Sequence, residues 1–142
     1  VFSARTQYGL VALIDLAAVY ASGDRLQTGE ICRRHGMPER YLEQMLTALR
    51  KGGYLTSVRG PRGGYQLSRA PDQITVAEVE TCLEGESQVE RQGARDSPVF
   101  QVIGELELRA ARARAAVLET STLACLLEAR NHVRPPEEMF YI

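Results

Sequence analysis

The stretch YLEQMLTALRKGGYLTSVRGPRGGYQLSR, residues 41–69, decides the fold. Leu42, Met45, Leu46 and Leu49 recur at i, i+3, i+4 and i+7, the apolar face of a helix running from about Pro38 to Lys51. Proline suits the first turn, where its missing N–H is no loss, and Gly52-Gly53 stops the helix. The opposite face carries Glu39, Arg40, Glu43, Gln44, Thr47 and Arg50. Tyr54 to Val58 then reads as a strand, Arg59 to Gly64 as a glycine-rich basic tip, and Tyr65 to Leu67 as the returning strand. The whole is an amphipathic helix followed at once by an arginine-tipped hairpin.

Upstream, TQYGLVALIDLAAVYA (residues 6–21) carries one charge, Asp15, and reads as a helix buried through much of its girth, ended by Ser22, Gly23 and Asp24. A short helix from about Gly29 to His35 follows, with Thr28 as N-cap, Glu30 at the positive dipole end and Gly36 as left-handed C-cap. Downstream of the hairpin, Pro71-Asp72-Gln73 makes a turn and Thr75-Val76-Ala77-Glu78 opens a fourth helix reaching about Leu83. Residues 84–97, EGESQVERQGARDS, are polar and without period, a flexible linker or sensor loop. From Pro98 to about Leu118, Val99, Ile103, Leu106, Ala110, Ala113 and Val117 alternate by four and three, the seam of a helix pair about 31 Å long. A last helix, N-capped by Ser121 or Thr120, runs from Leu123 to about Arg130, and the mostly apolar end of NHVRPPEEMFYI suggests docking. The expected fold is mainly α with a small β-hairpin wing: a winged helix-turn-helix over 1–83, the linker over 84–97, and a helical dimerisation region over 98–142 built on one long helix.

Charge follows this division. Residues 1–70 hold ten Arg and Lys against five Asp and Glu, whereas residues 71–142 hold seven against thirteen, so a basic front half sits on a chain of net charge −1. Polyanion binding needs local rather than global positive charge, so this asymmetry is either a nucleic-acid footprint or a chance difference between two solvated surfaces. The major groove admits an α-helix, where Gln44 suits adenine, Arg40 suits guanine, and Thr47 suits a thymine methyl or a phosphate. Glu39 and Glu43 accept from cytosine or veto wrong sequences by repulsion. At the hairpin tip, Arg59 and Arg62 stand among Gly60, Pro61, Gly63 and Gly64, where glycine permits close approach and arginine suits a narrow minor groove. Thr28 joins this DNA-facing set, and Tyr8 and Tyr65 either touch phosphates or pack with their rings.

Other chemistries find little support. The hairpin tip lacks the G-K-[ST] ending of a phosphate loop, and neither a nucleophile–base pair nor a metal cluster emerges, so no enzyme and no cofactor is expected. Cys32, Cys82 and Cys125 are odd in number and widely spaced, without a C-x-x-C pair. Cys32 reads as core and Cys125 as core or dimer packing. Cys82, beside the polar loop, is either a packed thiol or the redox candidate. His35 reads as a helix-end cap or phosphate contact, and Arg109, Arg112 and Arg114 as a solvated face paired with Glu105 and Glu107. No run reaches a membrane span and no leader opens the chain, so a cytoplasmic protein is expected. The alternative to DNA binding is a winged-helix protein-interaction adaptor, which the arginine tip and Gln44 disfavour.

On TQYGLVALIDLA, residues 41–69, ITVAEVETCLEGE and VLETSTLACLL, the chain resembles the bacterial iron–sulfur cluster regulator family of winged helix-turn-helix proteins, in a cysteine-poor form. Tyr41-Leu42-Glu43-Gln44, Arg59-Gly60-Pro61 and Gly63-Gly64-Tyr65 are the most specific marks. The resemblance implies a homodimeric regulator that represses or activates promoters, acting at a palindromic operator on double-stranded DNA and responding to a redox, iron or metabolite signal, with repression the expected mode. It places Tyr41, Glu43, Gln44, Arg50, Arg59 and Pro61 at or near DNA. Many members hold an iron–sulfur cluster on three cysteines after the fourth helix; Glu84 to Pro98 here contains none.

Overall fold

A computed structural model describes residues 1–85 and 97–133. The linker expectation lies mostly, and the tail expectation almost wholly, outside the described residues. Helix α1 spans Ala4–Ala18, with Ser3 as N-cap accepting from the Thr6 amide. It starts two residues earlier than the apolar run suggests and ends three earlier, because turn bonds from Val19 and Tyr20 to Leu16 and Ala17 consume its last carbonyls. Helix α2 (Thr28–His35) begins one residue early, so Thr28 is not its cap; Gln27 holds that position without a side-chain bond, and Thr28 is buried. Gly36, at φ +67°, closes α2 as expected. Pro38 N-caps α3 (Glu39–Lys51) rather than entering its first turn.

Leu42, Met45, Leu46 and Leu49 are all buried, which is the face that the spacing demanded. They meet Leu13 and Leu16 of α1, Ile31 of α2 and Val79 in one core. Strand β1 (Leu55–Val58) pairs antiparallel with β2 (Gly64–Leu67), Leu55 opposite Leu67 and Val58 opposite Gly64. Leu55 and Leu67 turn into the core while the far end stands in solvent. A third rung fastens this wing: Leu26 and Tyr65 exchange two backbone bonds of 3.0 and 2.8 Å. Gly64 makes that rung possible, since at φ +143° any Cβ would lie 2.6 Å from the Leu26 carbonyl oxygen.

After a 3-10 turn at Pro71–Gln73, α4 (Val76–Glu84) opens with a reciprocal capping box between Thr75 and Glu78. Helix α5 (Pro98–Thr120) has no fully buried residue along its 23 positions, and apart from half-buried Leu118 its large apolar side chains stand in solvent in the single chain. Helix α6 (Leu123–His132) is capped by Thr122, one residue beyond the expected caps. Backbone bonds from Val76 to Ser121 (2.8 Å) and from Leu123 to Ile74 (3.0 Å) strap the start of α6 to the start of α4. Leu123 is fully buried, so the core draws on the C-terminal helix as well as on residues 1–83. Among the described residues no helix is long and apolar enough to cross a membrane.

Candidate nucleic-acid interface

Burying one stripe of α3 turns the other outward. Arg40, Glu43, Gln44 and Thr47, with Ala48 and Lys51, line one shallow depression on that face. Arg40, Glu43 and Gln44 are exposed and Thr47 is half-buried. Lys51 went unremarked in the sequence, although it stands seven residues after Gln44 and so on the same side. Arg50 is exposed as well. Among the described residues, no side-chain hydrogen bond or ion pair within the chain is found for Arg40, Gln44, Arg59 or Arg62. Their donors are available to a ligand.

Arg59, Gly60, Pro61 and Arg62 are exposed at the wing tip. Gly63 differs from them: it is buried, its amide donates to the Gly60 carbonyl at 2.9 Å, and a Cβ there would collide with the Val58 carbonyl oxygen. It closes the tip that presents the arginines. Thr28 is likewise buried and stands outside the exposed set. Tyr41 is half-buried with its ring edge-on to Tyr8, centroids 5.4 Å apart, so this pair braces α3 against α1. Tyr65 is half-buried on the anchored strand.

Several polar residues have partners that the sequence did not suggest. Buried Asp15 accepts a 2.8 Å hydrogen bond from His35 Nε2 and lies 3.7 Å from Arg34 and 3.8 Å from Arg130. His35 therefore ties α2 to α1 through Nε2, a partner that its place at the helix end did not suggest. Arg114 leaves the expected pairs with Glu105 and Glu107 and grips both oxygens of Glu80 on α4.

The thiols are spread over three helices. Cys32 is enclosed in the core and burial pushes its thiol up. Cys82 is half-buried, donates to the Ala48 carbonyl at 3.5 Å and is also pushed up by burial, an environment that disfavours the reactive thiolate. Cys125 is exposed rather than core, and hydrogen bonding to Thr122 pulls its thiol down. A cluster needs several thiolates converging on one site, and these three environments do not fit one.

Residues 2–129 match the family model Rrf2, described as an iron-dependent transcriptional regulator. The chain is 40% identical over 83 residues to the HTH-type transcriptional regulator IscR of Cereibacter sphaeroides, covering 58% of this chain and 54% of that protein. It spans about half the length of the first curated relatives that it matches. Rv1287 of Mycobacterium tuberculosis, named as an HTH-type transcriptional regulator, is 36% identical over 126 residues, 86% of this chain and 78% of its own length. Among solved structures, CymR, the global cysteine regulator of B. subtilis, superposes with a TM-score of 0.80 at 33% identity, covering 91% of this chain and 97% of CymR. IscR of T. potens gives 0.76 at 30% identity, covering 98% and 96%.

Proposed function

The chain belongs to the Rrf2 family of transcriptional regulators, and we propose that it binds a palindromic DNA operator as a homodimer, with α3 in the major groove and the wing against the adjacent backbone or minor groove. The observation that carries this reading is the convergence of uncommitted Arg40, Gln44 and Lys51 on one helix face beside exposed Arg59 and Arg62. Phosphate contacts position a protein on the duplex, and base-edge contacts give it sequence preference. The rigid helix suits the second task and the flexible arginines the first.

The dimer is supported by α5. Its proposed seam, Val99, Ile103, Leu106, Ala110, Ala113 and Val117, is entirely exposed in one chain, with Leu106 at 61%. An apolar stripe of that size is unusual on a monomer and calls for a partner helix. We place the protein in the cytoplasm as a regulator, not an enzyme, most simply a repressor that occludes its promoter. Because its thiols do not fit the three-cysteine arrangement, we assign it no cluster of that kind.

Competition binding of Gln44→Ala and Arg59→Ala on selected and scrambled duplexes tests the division of labour. Arg59→Ala should weaken binding to all sequences and lower the salt slope by about one unit. Gln44→Ala should relax preference at one position in each half-site by roughly 1–3 kcal/mol, with a smaller effect on scrambled DNA. Equal losses on both duplexes in both variants would remove Gln44 from base reading. Binding of the wild type that ignores salt would instead favour a protein-interaction adaptor.

A further inference from the structure

Among the described residues, helix α5 meets its own winged unit towards its C-terminal end. Leu118 packs against the core there, and the backbone strap at Ser121 forms the junction with α6. From Ser97 to Val117 every residue is exposed, so the long arm projects from that junction. The junction is the pivot about which the angle of the arm is set, and besides the strap and Leu118 one side-chain pair among the described residues bears on that angle. Arg114, on the arm, donates from both terminal nitrogens to the two carboxylate oxygens of Glu80 on α4, at 2.7 and 2.5 Å. The guanidinium carbon also lies 5.6 Å from the centre of the Phe2 ring.

A bidentate fork fixes direction as well as distance, because both groups are planar. The Arg114 guanidinium holds the Glu80 carboxyl below the ordinary carboxylate range. Arg114 is still 45% exposed, and pairs so wetted add little to stability. What such a pair can set is an angle. The arm is about 34 Å long, so a freedom of about 10° at the pivot moves its far end by about 6 Å, more than the about 3.4 Å rise of one base pair.

We infer that the Glu80–Arg114 clasp fixes the angle between α5 and the winged unit, and so determines which operator half-site spacing the dimer accepts. This rests on the homodimeric, operator-binding reading above. Both are positioning residues; neither lies on the α3 face or at the wing tip.

The test uses the full chain. Half-sites are chosen by selection from a randomised duplex pool, then presented with the centre lengthened or shortened by single base pairs. Wild type should bind one spacing best, with a penalty of about tenfold for a one-base-pair change. Glu80→Gln and Arg114→Lys should flatten that profile to within about threefold while keeping dimer mass and thermal midpoint. The charge-swapped double variant E80R/R114E should restore it. An unchanged spacing profile in the single variants, a wild type indifferent to spacing, or single variants that lose dimer mass or all spacings equally would each overturn the clasp. If wild type enriches no sequence at all, the operator-binding reading itself has failed.

Discussion

Cys125 and Cys82 show how far a thiol's surroundings outweigh its place in the sequence. Cys82 borders the polar loop, which made it the redox candidate, yet its thiol is half-buried, bonded to the Ala48 carbonyl and pushed up by burial. Cys125 stands between Ala124 and Leu126, which pointed to core or dimer packing; it is not in the core, is exposed in the single chain, and its thiol is pulled down by Thr122. Since the thiolate is the nucleophile, a lowered pKa and open access act together at Cys125. Iodoacetamide at neutral pH should therefore modify Cys125 first, Cys82 much more slowly, and Cys32 only on unfolding. Peptide mass spectrometry over a time course reads the order directly. Labelling of Cys82 ahead of Cys125 would contradict these environments and return Cys82 to candidacy as a sensor.

At the scale of elements, the wing depends on two consecutive glycines doing different work. Gly64 lets β2 approach Leu26, and Gly63 closes the tip against Val58 and Gly60. Gly63→Ala should open the tip, because the colliding atoms are backbone and cannot swing away. The core lies elsewhere, so the cost should be local: about 1–3 kcal/mol, within the range of backbone strain, with DNA affinity falling more than the thermal midpoint suggests. Equal affinity for wild type and Gly63→Ala would show that tip geometry is immaterial. The helix α3 and this hairpin were legible in the sequence because their signals are local, a 3.6-residue apolar period and a glycine-rich turn between short strands. The α2 start was misread because Thr28 has the residue type of a cap while the core takes its side chain. The ties of His35 to Asp15 and of Arg114 to Glu80, and the strap between Ile74 and Leu123, join residues distant in sequence, and no local pattern encodes them. On the candidate surface the arginines and Gln44 are exposed, whereas Gly63 and Thr28 are buried, a difference that residue type does not encode because exposure depends on what packs over a residue.

The whole molecule presents a winged unit with a satisfied core and an arm with almost none. Among the described residues, Val99, Val102, Ile103, Leu106, Leu108 and Val117 on α5 are all exposed large apolar side chains. Each is worth about 1.5–3 kcal/mol when fully buried. Burial of several per chain in a twofold pair can offset an association cost of roughly 4–15 kcal/mol. Leu106→Glu would place a carboxylate in the seam close to its symmetry mate, adding repulsion to lost burial. The variant should sediment as a monomer where wild type sediments as a dimer. Its thermal midpoint, compared with that of wild type diluted to monomer, should barely move, because Leu106 touches none of the core. Operator affinity should fall by about 10²–10⁴, the avidity lost when two linked half-site contacts become independent. Leu108 supplies the control. It lies two residues on, about 200° round the helix and so opposite the seam, yet it is similarly apolar and exposed. Leu108→Glu should leave the dimer intact. If Leu108→Glu dissociates the protein and Leu106→Glu does not, the partner helix lies on the other side of α5, and the four-three spacing has selected the wrong face.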